Sequence, residues 1–230
     1  ASGEMQEAAE CFLCLSPGGL RACHCETHVH SGCLATLILT NGARCKTCLS
    51  EFNKEALLAT ARHTVTVHGQ TPTRLYVLAW ALTRAGHPAE ALDAMNTISN
   101  DASTGSRRAN LYVLRGRSLL QLKSIGAAIK AFRRARLLIE KSAQRPTPPS
   151  QPDIHIYSNA PVGLGYAWMQ SGDLSKAGQV LGDARSIAPF GAYSTAAKAI
   201  RASAALSLAR GDAEHALELS VALNKFLQRV

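Results

Sequence analysis

Ala85-Gly-His-Pro-Ala-Glu-Ala-Leu92, Leu122-Lys-Ser-Ile-Gly-Ala-Ala-Ile129, Ser171-Gly-Asp-Leu-Ser-Lys-Ala-Gly178 and Arg210-Gly-Asp-Ala-Glu-His-Ala-Leu217 are four versions of one eight-residue phrase. Each reads as a turn between two helices. The flanking sequence is rich in alanine, leucine and arginine, its apolar residues recur at spacings of three and four, and no alternating strand pattern extends far. The turn positions Gly86, Lys123, Gly172 and Gly211 lie 37, 49 and 39 residues apart, a period that marks a helix-turn-helix array. Most of the excess in the middle interval comes from Gln144 to Asp153, which holds four prolines in ten residues. Proline removes a backbone donor and clashes with the preceding turn, so this segment is expected to be a loop between the second and third repeats.

With these phrases aligned, the remainder of the repeat resembles the tetratricopeptide repeat. Its small residue in the first helix falls on Ala79, Gly116, Gly165 and Ala204, and its early alanine in the second helix on Ala91, Ala128, Ala177 and Ala216. Large partners match as well: Leu75 and Leu82, Tyr112 with Leu119 and Phe132, Trp168 with Leu181, and Pro189 at the close of the third repeat. The resemblance implies a mainly α chain with repeats at about 72–99, 109–140, 158–189 and 197–228, the last fitting loosely as a terminal repeat can. A helix from about Phe52 to His63 is expected to lead into the array.

Stacked repeats form a superhelix whose concave face is lined by the first helix of each pair. That register places Tyr76, Trp80, Asn110, Arg117, Asn159, Tyr166, Lys198 and Arg201 on the groove. Amides to bond a peptide backbone, aromatics for apolar side chains and cations for carboxylates suit an extended peptide, and an acidic one in particular. Packing between helices is the competing reading for Trp80 and Tyr166, and solvation for the cations.

Charge points the same way. Residues 107 to 145 hold eleven Lys or Arg against the single acid Glu140, within a chain of formal net charge +9. Such a patch suits an acidic protein first; nucleic acid or membrane phosphate is disfavoured because no aromatic stripe of a nucleic-acid fold accompanies it. No uninterrupted run of about 18 apolar residues occurs, so no membrane span is expected, and the cysteine chemistry suits a reducing intracellular compartment, cytoplasm or nucleus.

All seven cysteines fall between Cys11 and Cys48, so they serve one local structure. With one histidine they form four pairs at knuckle spacing: Cys11-x2-Cys14, Cys23-x1-Cys25, His30-x2-Cys33 and Cys45-x2-Cys48. Tetrahedral zinc takes four nitrogen or sulfur ligands, so eight ligands mean two Zn2+ ions. Seven thiolates and two dications change the formal charge by −3, from +9 to +6. His28 competes with His30 as the fifth ligand but breaks the x2 spacing to Cys33. The order of ligands resembles the RING-CH variant of the RING domain, a relative of the plant homeodomain finger. That resemblance implies a cross-brace over residues 1–52, with Cys11, Cys14, His30 and Cys33 on one ion and Cys23, Cys25, Cys45 and Cys48 on the other; residues 53–230 then form the repeat domain.

RING domains that act as ubiquitin ligases dock a ubiquitin-conjugating enzyme at positions matching Leu13, then Leu34 or Leu37, and Lys46 with Thr47. The resemblance therefore implies a RING-type ubiquitin-protein ligase without a catalytic cysteine, its repeats holding the protein substrate. The alternative is a non-catalytic scaffold whose zinc is structural and whose leucines pack a tiny core, as a module of about 50 residues requires. A histone-tail reader needs an aromatic cage, and Phe12 is the only aromatic among residues 1–51.

Overall fold

The computed structural model describes residues 11, 20–21, 28–30, 33–34, 52–98, 105–143, 151–187 and 193–227. The chain divides into two compact units, Ala1–Ser99 and Asn100–Val230. The division falls between the first and second repeats, not at the composition change near residue 52.

In the first unit, β1 (Leu20–Arg21) pairs antiparallel with β2 (His28–Val29), Leu20 opposite Val29 and Arg21 opposite His28. Three helices follow: α1 (Lys54–His68), α2 (Pro72–Ala85) and α3 (Pro88–Asn96), with α1 packed on α2 and α2 on α3. The Asn53 side chain caps α1 by accepting from the Glu55 amide at 3.0 Å. α1 runs five residues beyond the expected end at His63, through the poor helix formers Thr64-Val-Thr-Val67. Its buried stripe of Leu57, Ala61 and Thr64 shows why: burial continues past His63, and the Thr64 hydroxyl is satisfied by donating to the Thr60 carbonyl at 2.8 Å.

The second unit holds three helix pairs: α4 (Gly105–Gln121) with α5 (Ile125–Ala143), α6 (Gln151–Gln170) with α7 (Leu174–Ile187), and α8 (Tyr193–Ala209) with α9 (Ala213–Leu227). Every helix packs on its successor, and α6 packs in addition on both α4 and α8, so these three form the inner layer of the array. The same hydrogen bond closes all four turns between paired helices: the amides of His87, Ser124, Asp173 and Asp212 donate to the carbonyls five residues back, of Leu82, Leu119, Trp168 and Ser207, at 2.9 to 3.0 Å. That bond requires a left-handed residue just before the donor. Gly86, Gly172 and Gly211 supply it at φ of 88, 84 and 81°, and Lys123 takes their place at φ 58° despite its side chain.

The small residues do what the repeat pattern implies. Ala91, Ala128 and Ala177 are fully buried and Ala216 nearly so. A Cβ on Gly116 would lie 2.7 Å from the Phe132 ring, and one on Gly165 would lie 2.6 Å from Leu181. In both pairs a large residue of the second helix is seated on a bare backbone of the first.

The proline-rich segment needs one correction. Its last three residues, Gln151 to Asp153, already belong to α6, because Pro152 sits in the first turn, where a missing amide costs nothing. Pro161 lies inside the same helix and removes one of its internal hydrogen bonds. Residues 144–150 and Pro189 lie outside the described residues.

Candidate functional site

Five of the eight groove residues read from the repeat register line one cavity of about 270 Å3: Arg117 from α4, Asn159 and Tyr166 from α6, and Lys198 and Arg201 from α8. Leu120, Phe132, Val162 and Gly163 add an apolar surface and Gln170 a further amide. Among the described residues, no acidic one lines it. Asn159 Oδ1 accepts from Arg117 Nη2 and from Lys198 Nζ, each at 3.3 Å, so one amide on the middle helix links the cations of the two flanking helices. Arg117, Lys198 and Arg201 are exposed, while Asn159 and Tyr166 are half-buried. Asn110 lies on α4 outside this lining. Tyr76 and Trp80 lie on α2 in the first unit, where Arg84 stacks over the Trp80 ring at 5.3 Å from its centre.

A larger cavity of about 510 Å3 lies among α5, α6 and α7, and there Arg136 and Lys176 already have acidic partners. Arg136 bonds Glu140 at 2.8 Å and Asp183 at 3.2 Å. The Glu140 hydrogen bond is the main cause that raises the Arg136 pKa above its ordinary value. Lys176 bonds Asp173 at 2.6 Å and thereby holds that carboxyl below its ordinary range. Arg133 and Lys176 flank the Trp168 ring at 5.2 and 4.7 Å from its centre. These contacts knit α5, α6 and α7 together, which makes this cavity a packing feature. The smaller one gathers three cations, with no acid among its described lining residues, which makes it the candidate binding site.

In the N-terminal segment the structure brings Cys11, His30 and Cys33 together, one ligand atom of each within 4.8 Å of the others. Cys11 is fully buried, and its Sγ accepts a hydrogen bond from the His30 amide at 3.4 Å. An amide turned toward a thiolate sulfur is a usual companion of metal ligation. Cys11 and Cys33 form no disulfide. A tetrahedral zinc ion with Zn–S bonds of about 2.3 Å sets its sulfurs about 3.8 Å apart, within the 4.8 Å that bounds this donor set, so the three groups fit zinc. His28 is a neighbour of the cluster and not one of its three members: its backbone bridges to Cys11 and pairs with Arg21. Cys14, Cys23, Cys25, Cys45 and Cys48 lie outside the described residues.

Leu34, one of the two alternatives for the second docking position, is fully buried, as a leucine that packs the interior of a small module would be. Leu13, Leu37, Lys46 and Thr47 lie outside the described residues. Among the described residues no helix is long and apolar enough to cross a membrane.

Gly163 escaped the sequence reading. A Cβ there would lie 2.3 Å from the Phe132 ring, closer than at any repeat-pattern glycine, yet the position falls two residues before the repeat's small residue at Gly165. Only the neighbouring repeat creates the need, so no local signal marks it.

No family model matches the chain, and no curated protein does. Solved structures do. A crystal structure of MamA aligns with a TM-score of 0.52 at 16% identity, covering 76% of this chain and 90% of that one. MamA residues 41 to the end from Desulfovibrio magneticus RS-1 align with a TM-score of 0.52 at 14% identity, over 86% of this chain and 94% of that one. A kinesin light chain-like protein of Podosopora anserina with nearly identical TPR-like repeats gives 0.54 at 17% identity, over 77% and 87%. At such identities the likeness concerns the fold, and the fold of this chain is a tetratricopeptide-like helical repeat array.

Proposed function

We propose that this chain is a protein-interaction scaffold whose inner groove binds an extended acidic segment of a partner protein and whose N-terminal segment carries a structural zinc module. One observation carries the reading: Arg117, Lys198 and Arg201 reach one cavity, lined by no acidic residue among those described, from two helices that flank a third. Tetratricopeptide-like arrays suit the task, since adjacent first helices build a continuous concave surface and the apolar part of the lining strengthens charge-assisted bonds.

The test is fluorescence anisotropy of a labelled acidic decapeptide with the full chain, compared with a Lys198→Glu/Arg201→Glu variant. Both positions are exposed, so the variant should keep its helical circular dichroism. Removing two cations and adding two anions is expected to weaken binding by at least about tenfold at low salt, and the wild-type affinity should fall as salt rises. Equal binding by both proteins would remove the groove as the site.

A second reading adds an activity. The Cys11, His30 and Cys33 cluster fits one zinc site of a RING-type cross-brace, and a RING-type module joined to a substrate-binding array would make a single-chain ubiquitin ligase. Such a ligase contributes no nucleophile and acts by positioning the charged conjugating enzyme. With a panel of conjugating enzymes it should build ubiquitin chains, and Leu13→Ala should abolish them while zinc content is unchanged. Inactivity across the panel leaves the scaffold reading alone.

A further inference from the structure

Arg117 Nη2 and Lys198 Nζ each stand 3.3 Å from the same atom, Asn159 Oδ1, so they are no farther apart than twice that distance, 6.6 Å. Arg201 lines the same cavity three residues along α8 from Lys198. Leu120, Phe132 and Val162 line the cavity beside these three cations, and an anion entering it would meet positive charge from two helices.

We infer that this cavity receives the phosphoryl group of a phosphorylated peptide segment laid along the groove, an inference that rests on the groove being a peptide site. A carboxylate offers two oxygens and one charge. The cavity presents two guanidinium groups and an ammonium from opposite walls, which matches three terminal oxygens and a charge of about −1.5 to −2. Guanidinium forks bond two phosphoryl oxygens at once, and the ammonium on the α8 wall serves as a point charge toward the third. Size agrees: about 270 Å3 falls below the pockets that enclose whole small ligands, roughly 300–1,000 Å3, and suits one side-chain head. Asn159, with its oxygen engaged by Arg117 and Lys198, keeps the two walls in register around that head.

The experiment uses the full chain and three fluorescein-labelled nonapeptides of one alanine-rich sequence, carrying phosphoserine, glutamate or serine at the centre. The phosphopeptide should bind about tenfold or more tighter than the glutamate peptide, with serine weaker still, and inorganic phosphate should compete. Arg117→Ala, Lys198→Ala and Arg201→Ala should each weaken the phosphopeptide by about fivefold or more. Arg134→Ala, which removes an exposed cation of α5 outside the cavity, should leave it unchanged. Equal affinity for the phosphoserine and glutamate peptides would overturn the phosphoryl assignment and leave the acidic groove standing. If the three peptides bind alike and no cavity variant matters, the groove reading fails with it.

Discussion

Phe132→Ala should lower the stability of the second unit by about 3–5 kcal/mol, the cost of emptying a fully packed aromatic site. The ring is 0% exposed and belongs to the cluster that joins α4, α5 and α6 through Ala109, Val113, Ala128, Ile129, Ala160 and Leu164. Its faces are set by Gly116 on α4 and Gly163 on α6, whose missing Cβ atoms would stand 2.7 and 2.3 Å from it. The converse change is therefore costly too. Gly163→Ala should destabilise by about 1–3 kcal/mol, because the ring is trapped between two backbones and cannot swing aside. The two changes should also be coupled. Phe132→Leu withdraws ring atoms from the space a Gly163 methyl needs, so the double variant should lose less than the sum of the single ones. Thermal or urea unfolding followed by Trp168, which packs against this cluster, would measure all of these variants, with Trp80→Phe silencing the other tryptophan. Strict additivity would mean that ring and glycine do not share the space the geometry assigns them.

The contrast between Gly165 and Gly163 shows what sequence alone can reveal. Gly165 was legible because every repeat needs a small residue there, so four positions in one chain carry the signal. Gly163 answers to Phe132 of the preceding repeat, a contact made once. The turns were legible for the first reason: even Lys123, which breaks the glycine rule, was placed by its phrase, and its φ of 58° shows that the bond to the Leu119 carbonyl outweighs the strain. That five of the eight register positions line one cavity was legible in outline, since a helical register tells which residues share a face. What it could not give is convergence. That Asn159 accepts from cations on two different helices follows from how α6 packs against both α4 and α8. Leu34 marks the opposite limit: the resemblance offered it or Leu37 for docking, packing of a small core was the competing reading, and the residue is buried.

Chelating zinc from the full chain should unfold the N-terminal segment and leave the helices of the array in place. The two parts stand on different energetics. The described helices from Lys54 onward bury stripes of alanine and leucine, and the second-unit clusters contain no cysteine. A segment of about 50 residues buries too little apolar surface to fold alone, whereas structural zinc contributes about 10–16 kcal/mol of apparent binding free energy. Elemental analysis should find two zinc ions per chain, and Cys33→Ser should reduce that to one. Histidine substitutions probe the geometry directly. His30 places a ring nitrogen within 4.8 Å of the Cys11 and Cys33 sulfurs, while His28 pairs through its backbone in β2. His30→Ala should therefore cost one zinc ion, and His28→Ala should keep both. Loss of zinc from the His28 variant with retention in the His30 variant would exchange the two roles. A wild-type chain with fewer than two ions would break the cross-brace and the ligase reading built on it, while the proposal for the cationic groove, in a unit with its own core, would stand unchanged.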